Sequence, residues 1–93
     1  MTKKKLDGAA KASFKNKAQV AISDVCGCYY CIKTFQPEEV VEWTDNGTTA
    51  ICPRCGIDAV LGSASGFSID EATLKEIFEA NFYVMEQPEK HIR

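Results

Sequence analysis

The sequence predicts a small α+β domain in which a β-hairpin carries two pairs of cysteines, with a short helix before it and an amphipathic helix after it. Three observations lead to this fold class. The chain has 93 residues, which allows one core only. An Asn-Gly turn signal lies between two runs rich in β-forming residues, and apolar residues recur at helical spacing near the C-terminus.

The hairpin is predicted to pair residues 40–43 with residues 48–51. Both runs contain β-branched residues, and the sequence Asp45-Asn46-Gly47 between them is a strong hairpin signal. The second run leads directly into Cys52. The hairpin would therefore hold the two cysteine pairs opposite each other, as in a zinc ribbon or at the start of a treble clef. After it, residues 57–62 are expected to form a third strand or a single helical turn.

A short helix is predicted before the cysteines, over residues 14–22. Ser13 would be its N-cap, and Phe14 and Ile22 would lie on its buried face with the alanines between them.

The C-terminal helix is predicted from about residue 70 to about residue 84, with Ser68 and Asp70 as rival N-caps. Its apolar residues follow the helical period, and Pro88 ends any continuation. The residues on its apolar face are Leu74, Ile77, Phe78, Phe82 and Met85.

The charges divide the chain unevenly. Residues 1–17 carry six lysines and one aspartate, whereas residues 18–93 carry five basic and twelve acidic groups. We therefore expect residues 1–12 to be a flexible basic arm, residues 13–86 to form the single domain, and residues 87–93 to be a mobile tail. No apolar run approaches the roughly 20 residues that span a bilayer, and no secretory signal is present, so a cytoplasmic protein is expected.

Five cysteines lie between positions 26 and 55, and this odd count argues against a closed disulfide framework. Two C-x2-C pairs match the spacing of structural zinc sites, because a turn of four residues aims both sulfurs at one metal about 2.3 Å away. Pro53 and Gly56 favour such a turn. One structural zinc ion is therefore predicted, and its four thiolate ligands are Cys28, Cys31, Cys52 and Cys55.

Two alternatives for the cysteines stay open. Cys26 can replace Cys28 with a C-x4-C spacing to Cys31, although Cys28 forms the tighter turn. Four thiolates can also hold iron, either as a single ion or in an iron–sulfur cluster. Four thiolates complete the tetrahedral shell of a zinc ion, so no open position for a catalytic water is expected.

Three segments together resemble a family of short bacterial cytoplasmic proteins. They are "CGCYYC" at residues 26–31, "EW" at residues 42–43 and "CPRCGIDAVLG" at residues 52–62. The resemblance covers about residues 24–83. It implies a zinc-ribbon-like fold with the four cysteines as ligands, and it implies no activity. This chain has Ala59 where serine is common in the family.

Binding to another protein is the predicted function. Trp43, Tyr29 and Tyr30 are the candidate anchors, because aromatic side chains dominate binding hot spots. Trp43 can equally pack under the hairpin, and only one of the two tyrosines is expected to be buried. The alternative is a nucleic-acid-binding zinc ribbon that uses the lysine-rich N-terminus, which the acidic remainder of the chain disfavours. No nucleophile stands beside a base, so an enzyme is not expected.

Overall fold

The computed structural model describes residues 3–83, with the side chains of residues 8–81. Within them the chain forms three α-helices and five short strands, which confirms the α+β class. No helix in this part of the chain is both long and apolar enough to cross a membrane. The predicted tail at residues 87–93 lies outside the described residues. The elements are α1 (Lys3–Ala12), α2 (Lys17–Ala21), β1 (Cys26–Cys28), β2 (Thr34–Phe35), β3 (Trp43–Thr44), β4 (Thr49–Ala50), β5 (Val60–Gly62) and α3 (Glu71–Phe78).

The predicted hairpin is present as the antiparallel pair β3–β4, with Trp43 opposite Ala50. It is shorter than expected, since only Trp43 and Thr44 pair with Ala50 and Thr49, and residues 40–42 form no strand. The connecting turn uses three consecutive residues with positive φ, at 55° for Asp45, 61° for Asn46 and 82° for Gly47. Asparagine, aspartate and glycine are the residues that tolerate this left-handed conformation best.

A second sheet has three antiparallel strands in the order β2-β1-β5. The central strand β1 pairs with β2 on one side and with β5 on the other, where Gly27 lies opposite Leu61. Residues 60–62 therefore form a strand rather than a helical turn. Since β1 and β5 are far apart in sequence, no local signal indicates that they pair.

Helix α3 packs on the centre of this sheet at Gly27. A Cβ atom at position 27 would lie 2.8 Å from Leu74 Cδ1 and 2.9 Å from Ile69 Cγ2, so only glycine permits the close approach. Leu74 and Ile77 are fully buried. Asp70 is the N-cap of α3, because its carboxylate accepts a hydrogen bond of 2.8 Å from the amide of Thr73. A π-helical turn at Glu79–Tyr83 follows α3.

Residues 3–12 of the segment predicted to be a flexible basic arm are helical. Helix α1 occupies Lys3–Ala12 and packs against α3 and the π-helical turn that follows it. Its contact is made by a small residue, since Ala9 is fully buried. Alanine favours helix and lets two helices approach closely, but it gives no large apolar period from which the helix could be predicted.

The predicted start of the next helix, with Ser13 as its N-cap, is wrong. Helix α2 begins after Asn16, and the hydroxyl of Ser13 instead donates to the carbonyl of Ala10 at 3.0 Å. Phe14 is 54% exposed and Ile22 is 76% exposed, so neither lies on a buried face. The helix is too short for the period on which that prediction relied.

Asn16 joins the two sheets. Its buried side chain donates from Nδ2 to the carbonyl of Val60 at 2.8 Å and accepts at Oδ1 from the amide of Ala50 at 3.0 Å. Ala50 lies in β4, which precedes the second cysteine pair, and Val60 lies in β5, which follows it. Gln19 links β5 to α1, since its Oε1 accepts from the amide of Gly62 at 2.7 Å and its Nε2 donates to the carbonyl of Ala12 at 2.9 Å. The sequence analysis identified neither residue, because polar side chains in a short helix give no signal of burial.

Replacing Asn16 with alanine should lower the free energy of unfolding by about 2–4 kcal/mol, because a buried amide and a buried carbonyl would both lose their partner. Urea denaturation of the metal-loaded protein would measure this. Ala18→Ser, at an exposed position of the same helix, is the control and should change the free energy by less than about 0.5 kcal/mol. Similar midpoints for the two variants would show that Asn16 does not join the sheets.

Candidate metal centre

The first cysteine pair lies in the turn between β1 and β2. The amide of Cys28 donates to the carbonyl of Lys33 at 3.0 Å, and the amide of Ile32 donates back to the carbonyl of Cys28 at 2.9 Å. The amide of Tyr30 points at the Cys28 sulfur, 3.3 Å away. The turn therefore presents backbone N–H groups to a thiolate, which such groups stabilise.

The second cysteine pair, between β4 and β5, has the same hydrogen bonds at the same spacing. The amide of Cys52 donates to the carbonyl of Ile57 at 2.9 Å, and the amide of Gly56 donates to the carbonyl of Cys52 at 3.0 Å. The amide of Arg54 lies 3.3 Å from the Cys52 sulfur. Two unrelated stretches of sequence thus form equivalent turns.

The two turns bring four sulfurs together. Cys28 Sγ lies 3.7 Å from Cys55 Sγ, and Cys31 Sγ lies 3.8 Å from Cys52 Sγ. All four sulfurs lie within 4.8 Å of one another. A tetrahedral site with metal–sulfur bonds of about 2.3 Å has sulfur–sulfur edges of about 3.8 Å. A disulfide needs a sulfur–sulfur distance of about 2.05 Å, and all four cysteines are free thiols. The four cysteines can therefore hold one metal ion.

The four thiols differ in exposure, since Cys28 and Cys52 are buried, Cys31 is half-buried and Cys55 is exposed. Burial raises the pKa of Cys28 far above its ordinary value. Burial also opposes ionisation of Cys52, but hydrogen bonds from the amides of Arg54 and Cys55 outweigh it and lower the pKa of that thiol. Cysteine binds a metal as the thiolate, and a bound cation stabilises that charged form directly. A cluster of partly buried thiols is therefore suited to a metal cation.

Cys26 is not part of this cluster. It lies in β1, fully buried, between Phe35 of β2 and Gly62 of β5. Burial, followed by the negative charge of Glu38, raises the pKa of Cys26 to about 11. Its environment is that of a small packed side chain.

The candidate aromatic anchors lie in different environments. Tyr29 is buried, with its hydroxyl 2.9 Å from the hydroxyl oxygen of Ser13. Tyr30 is 45% exposed, and its ring packs edge-on against that of Phe78 with centroids 5.9 Å apart. One tyrosine is thus buried and the other exposed, as expected from their adjacent positions in the turn.

Trp43 combines both roles that the sequence left open. It is half-buried and packs against the core, and it also lines a groove of about 240 Å³. The ammonium of Lys17 lies 5.8 Å from the centroid of its ring. The other residues that line this groove are Val20, Ala21, Pro37 and Glu38.

An ion pair links the second turn to the rest of the domain. The guanidinium of Arg54 lies 2.7 Å from the carboxylate of Glu39, whose second oxygen accepts from the amide of Gln36 at 2.8 Å. Both side chains of the pair are partly exposed, so it contributes less than about 1 kcal/mol. The sequence analysis did not identify this pair, which joins residues 15 positions apart.

Position 32 shows what the site requires of the backbone. Ile32 and Gly56 each follow the second cysteine of a turn, and their φ angles are 64° and 81°. Glycine adopts this conformation freely, whereas a β-branched residue does so only under constraint from its surroundings. The first turn therefore keeps a strained isoleucine at a position where the second turn has glycine.

Comparison of the chain with protein-family models, with curated protein sequences and with solved structures found no match. The function is therefore inferred from the four thiols and their surroundings.

Substituting Gly56 with alanine should lower the free energy of unfolding by about 1–2 kcal/mol, because a Cβ atom there meets no neighbouring atom yet forces a left-handed backbone on a non-glycine residue. Gly8→Ala is the matched control, since a Cβ at that position of α1 also meets nothing within 4 Å. Helix propensity should make that variant more stable by about 0.5–1 kcal/mol. Equal effects of the two alanines in urea denaturation would contradict the role given to Gly56.

Proposed function

We propose that the protein binds one structural zinc ion through Cys28, Cys31, Cys52 and Cys55 and acts as a small protein-interaction module. The observation that carries the metal assignment is the approach of four sulfurs to within 4.8 Å of one another. Zinc is the typical occupant of a four-cysteine site built from two C-x2-C turns. Iron has the same ligands and geometry available, so the metal is identified by measurement.

The proposed ion would join the turn between β1 and β2 to the turn between β4 and β5, and so reinforce the junction of the two sheets. A chain of 93 residues has a modest core, and zinc binding in small domains contributes about 10 kcal/mol or more to folding. Four thiolates would leave no coordination position for water, which favours a structural role over metal-assisted hydrolysis.

The surface near Trp43 supports binding to a protein partner. Apolar side chains are exposed there and in the neighbouring segments, with Val41 at 78% and Ile22 at 76% exposure. Val41 lies two residues before Trp43, and Ile22 directly follows Ala21, which lines the same groove as Trp43. A half-buried tryptophan beside a groove, with exposed aliphatic residues close by, has the composition of an interface core.

Nucleic-acid binding is the less favoured alternative. Among the described lysines, Lys15 and Lys17 lie over the aromatic rings of Phe14 and Trp43, at 5.3 and 5.8 Å from the ring centroids. Residues 18–93 carry five basic and twelve acidic groups and would repel phosphates. The chain resembles short bacterial cytoplasmic proteins, and cysteines in the cytoplasm stay reduced. Reduced cysteines are available to bind the proposed zinc ion.

The purified protein should contain one zinc ion per chain, measured by elemental analysis and native mass spectrometry. Cys28→Ala should weaken zinc binding by about 100-fold or more, since one of four ligands is lost. Cys26→Ala is the control, because it removes a cysteine sulfur that is not a proposed ligand. This variant should still bind one zinc ion per chain. Iron in the native protein would replace zinc in the proposal, whereas a mass that shows two disulfides would exclude a metal site.

Trp43→Ala should reduce capture of the protein partner from a host lysate by about tenfold or more, because a hot-spot tryptophan contributes 2 kcal/mol or more. Quantitative mass spectrometry would measure the captured protein, with zinc content confirming that the variant is folded. The control replaces Lys3, Lys4 and Lys5 with glutamine and should leave capture unchanged. If the lysine variant alone loses its partner, and that partner is a nucleic acid, the alternative function is correct.

A further inference from the structure

A cavity of about 350 Å³ lies on the side of α1 that faces the segment after the second cysteine pair. It shares no lining residue with the Trp43 groove, and none of the four clustered cysteines lines it. Its walls are largely apolar. They are formed by α1, by Phe14 shortly after that helix and by the segment that follows Cys55. The apolar lining residues are Ala10, Phe14, Ile57 and Ala59.

One carboxylate provides the only charge among the described residues that line the cavity. Asp58 is exposed, and no described residue donates a hydrogen bond to its carboxylate or forms an ion pair with it. Asn81 also lines the cavity, and its Nδ2 donates to the carbonyl of Ile77 at 2.8 Å. That bond turns the amide so that its Oδ1 is available as an acceptor.

Two hydroxyl groups complete the polar lining. Ser13 donates its proton to the carbonyl of Ala10, so the hydrogen bond of 2.9 Å between Ser13 and Tyr29 is donated by the tyrosine. The donors of both hydroxyls are therefore used inside the protein. The polar lining of the cavity thus combines two hydroxyl groups, one amide and one carboxylate.

The position of Asp58 is set by the metal-binding turn. The carbonyl of Ile57 accepts from the amide of Cys52 at 2.9 Å, and the carbonyl of Ala59 accepts from the amide of Tyr29 at 3.0 Å. Both ends of the Ile57–Ala59 stretch are therefore hydrogen-bonded to residues of the two cysteine turns. This holds the carboxylate at the wall of the cavity rather than on a loose loop.

We propose that this cavity binds a small organic ammonium ion. Its cationic group would donate to the Asp58 carboxylate and to Asn81 Oδ1, and its apolar body would pack against Phe14 and Ile57. The volume lies near the lower end of the range for ligand pockets, which favours a small molecule. The acidic residues of the domain would attract a cation and repel an anion.

The test uses the full-length, zinc-loaded protein and 2-phenylethylammonium as the probe, with the neutral 2-phenylethanol for comparison. Two-dimensional amide NMR should show saturable shifts at residues 57–59, Tyr29 and Asn81, with a dissociation constant in the range of about 1 mM expected for a ligand of this size. The alcohol has nearly the same shape without the charge and should bind about tenfold more weakly.

Variants separate a specific site from general attraction to an acidic protein. Asp58→Asn should weaken binding of the ammonium probe about tenfold, whereas Asp24→Asn, at an exposed position outside the cavity, should change it less than about twofold. Ala10→Phe, at an exposed position of α1, should abolish binding by filling the cavity while Asp58 remains. Equal binding of the alcohol, equal effects of the two asparagine variants, or no saturable shift up to about 10 mM would each overturn the proposal.

Discussion

Four sulfur atoms must reach one point, and most features of this small domain follow from that requirement. A four-residue turn has to curl tightly enough to aim two side chains at the same place, and it does so twice with the same backbone hydrogen bonds. The residue after each second cysteine must then adopt a left-handed conformation, as Ile32 and Gly56 do. The isoleucine shows that the geometry of the site outweighs the conformational preference of the residue.

The turns are supported from outside by polar side chains rather than by a large apolar core. Asn16 holds the strands before and after the second turn, Gln19 holds the end of β5, and Arg54 pairs with Glu39 beside it. The two amide side chains are the stronger contacts, because they satisfy backbone groups of strands that would otherwise lose a partner. Such contacts fix one relative position of the two sheets, which apolar packing alone specifies less sharply.

The domain presents two different surfaces around this framework. The groove at Trp43 is bordered by one cation and one anion, Lys17 and Glu38, and apolar side chains are exposed in the adjoining segments. The cavity at Asp58 is enclosed by α1 and carries a single negative charge among its described lining residues. The proposed protein partner would contact the first surface, and the proposed ammonium ion would bind at the second. Because the Asp58 segment is hydrogen-bonded to both cysteine turns, these turns hold one wall of the cavity in place.

The sequence by itself determined the features that depend on neighbours in the chain. The spacing within each cysteine pair, the Asp45-Asn46-Gly47 turn and the capped start of α3 are local, since a few consecutive residues set their conformation. The pairing of β1 with β5 and the burial of Ala9 and Asn16 were decided only by the tertiary structure. These contacts join residues distant in sequence, and small or polar side chains carry no hydrophobic period that would reveal their partners.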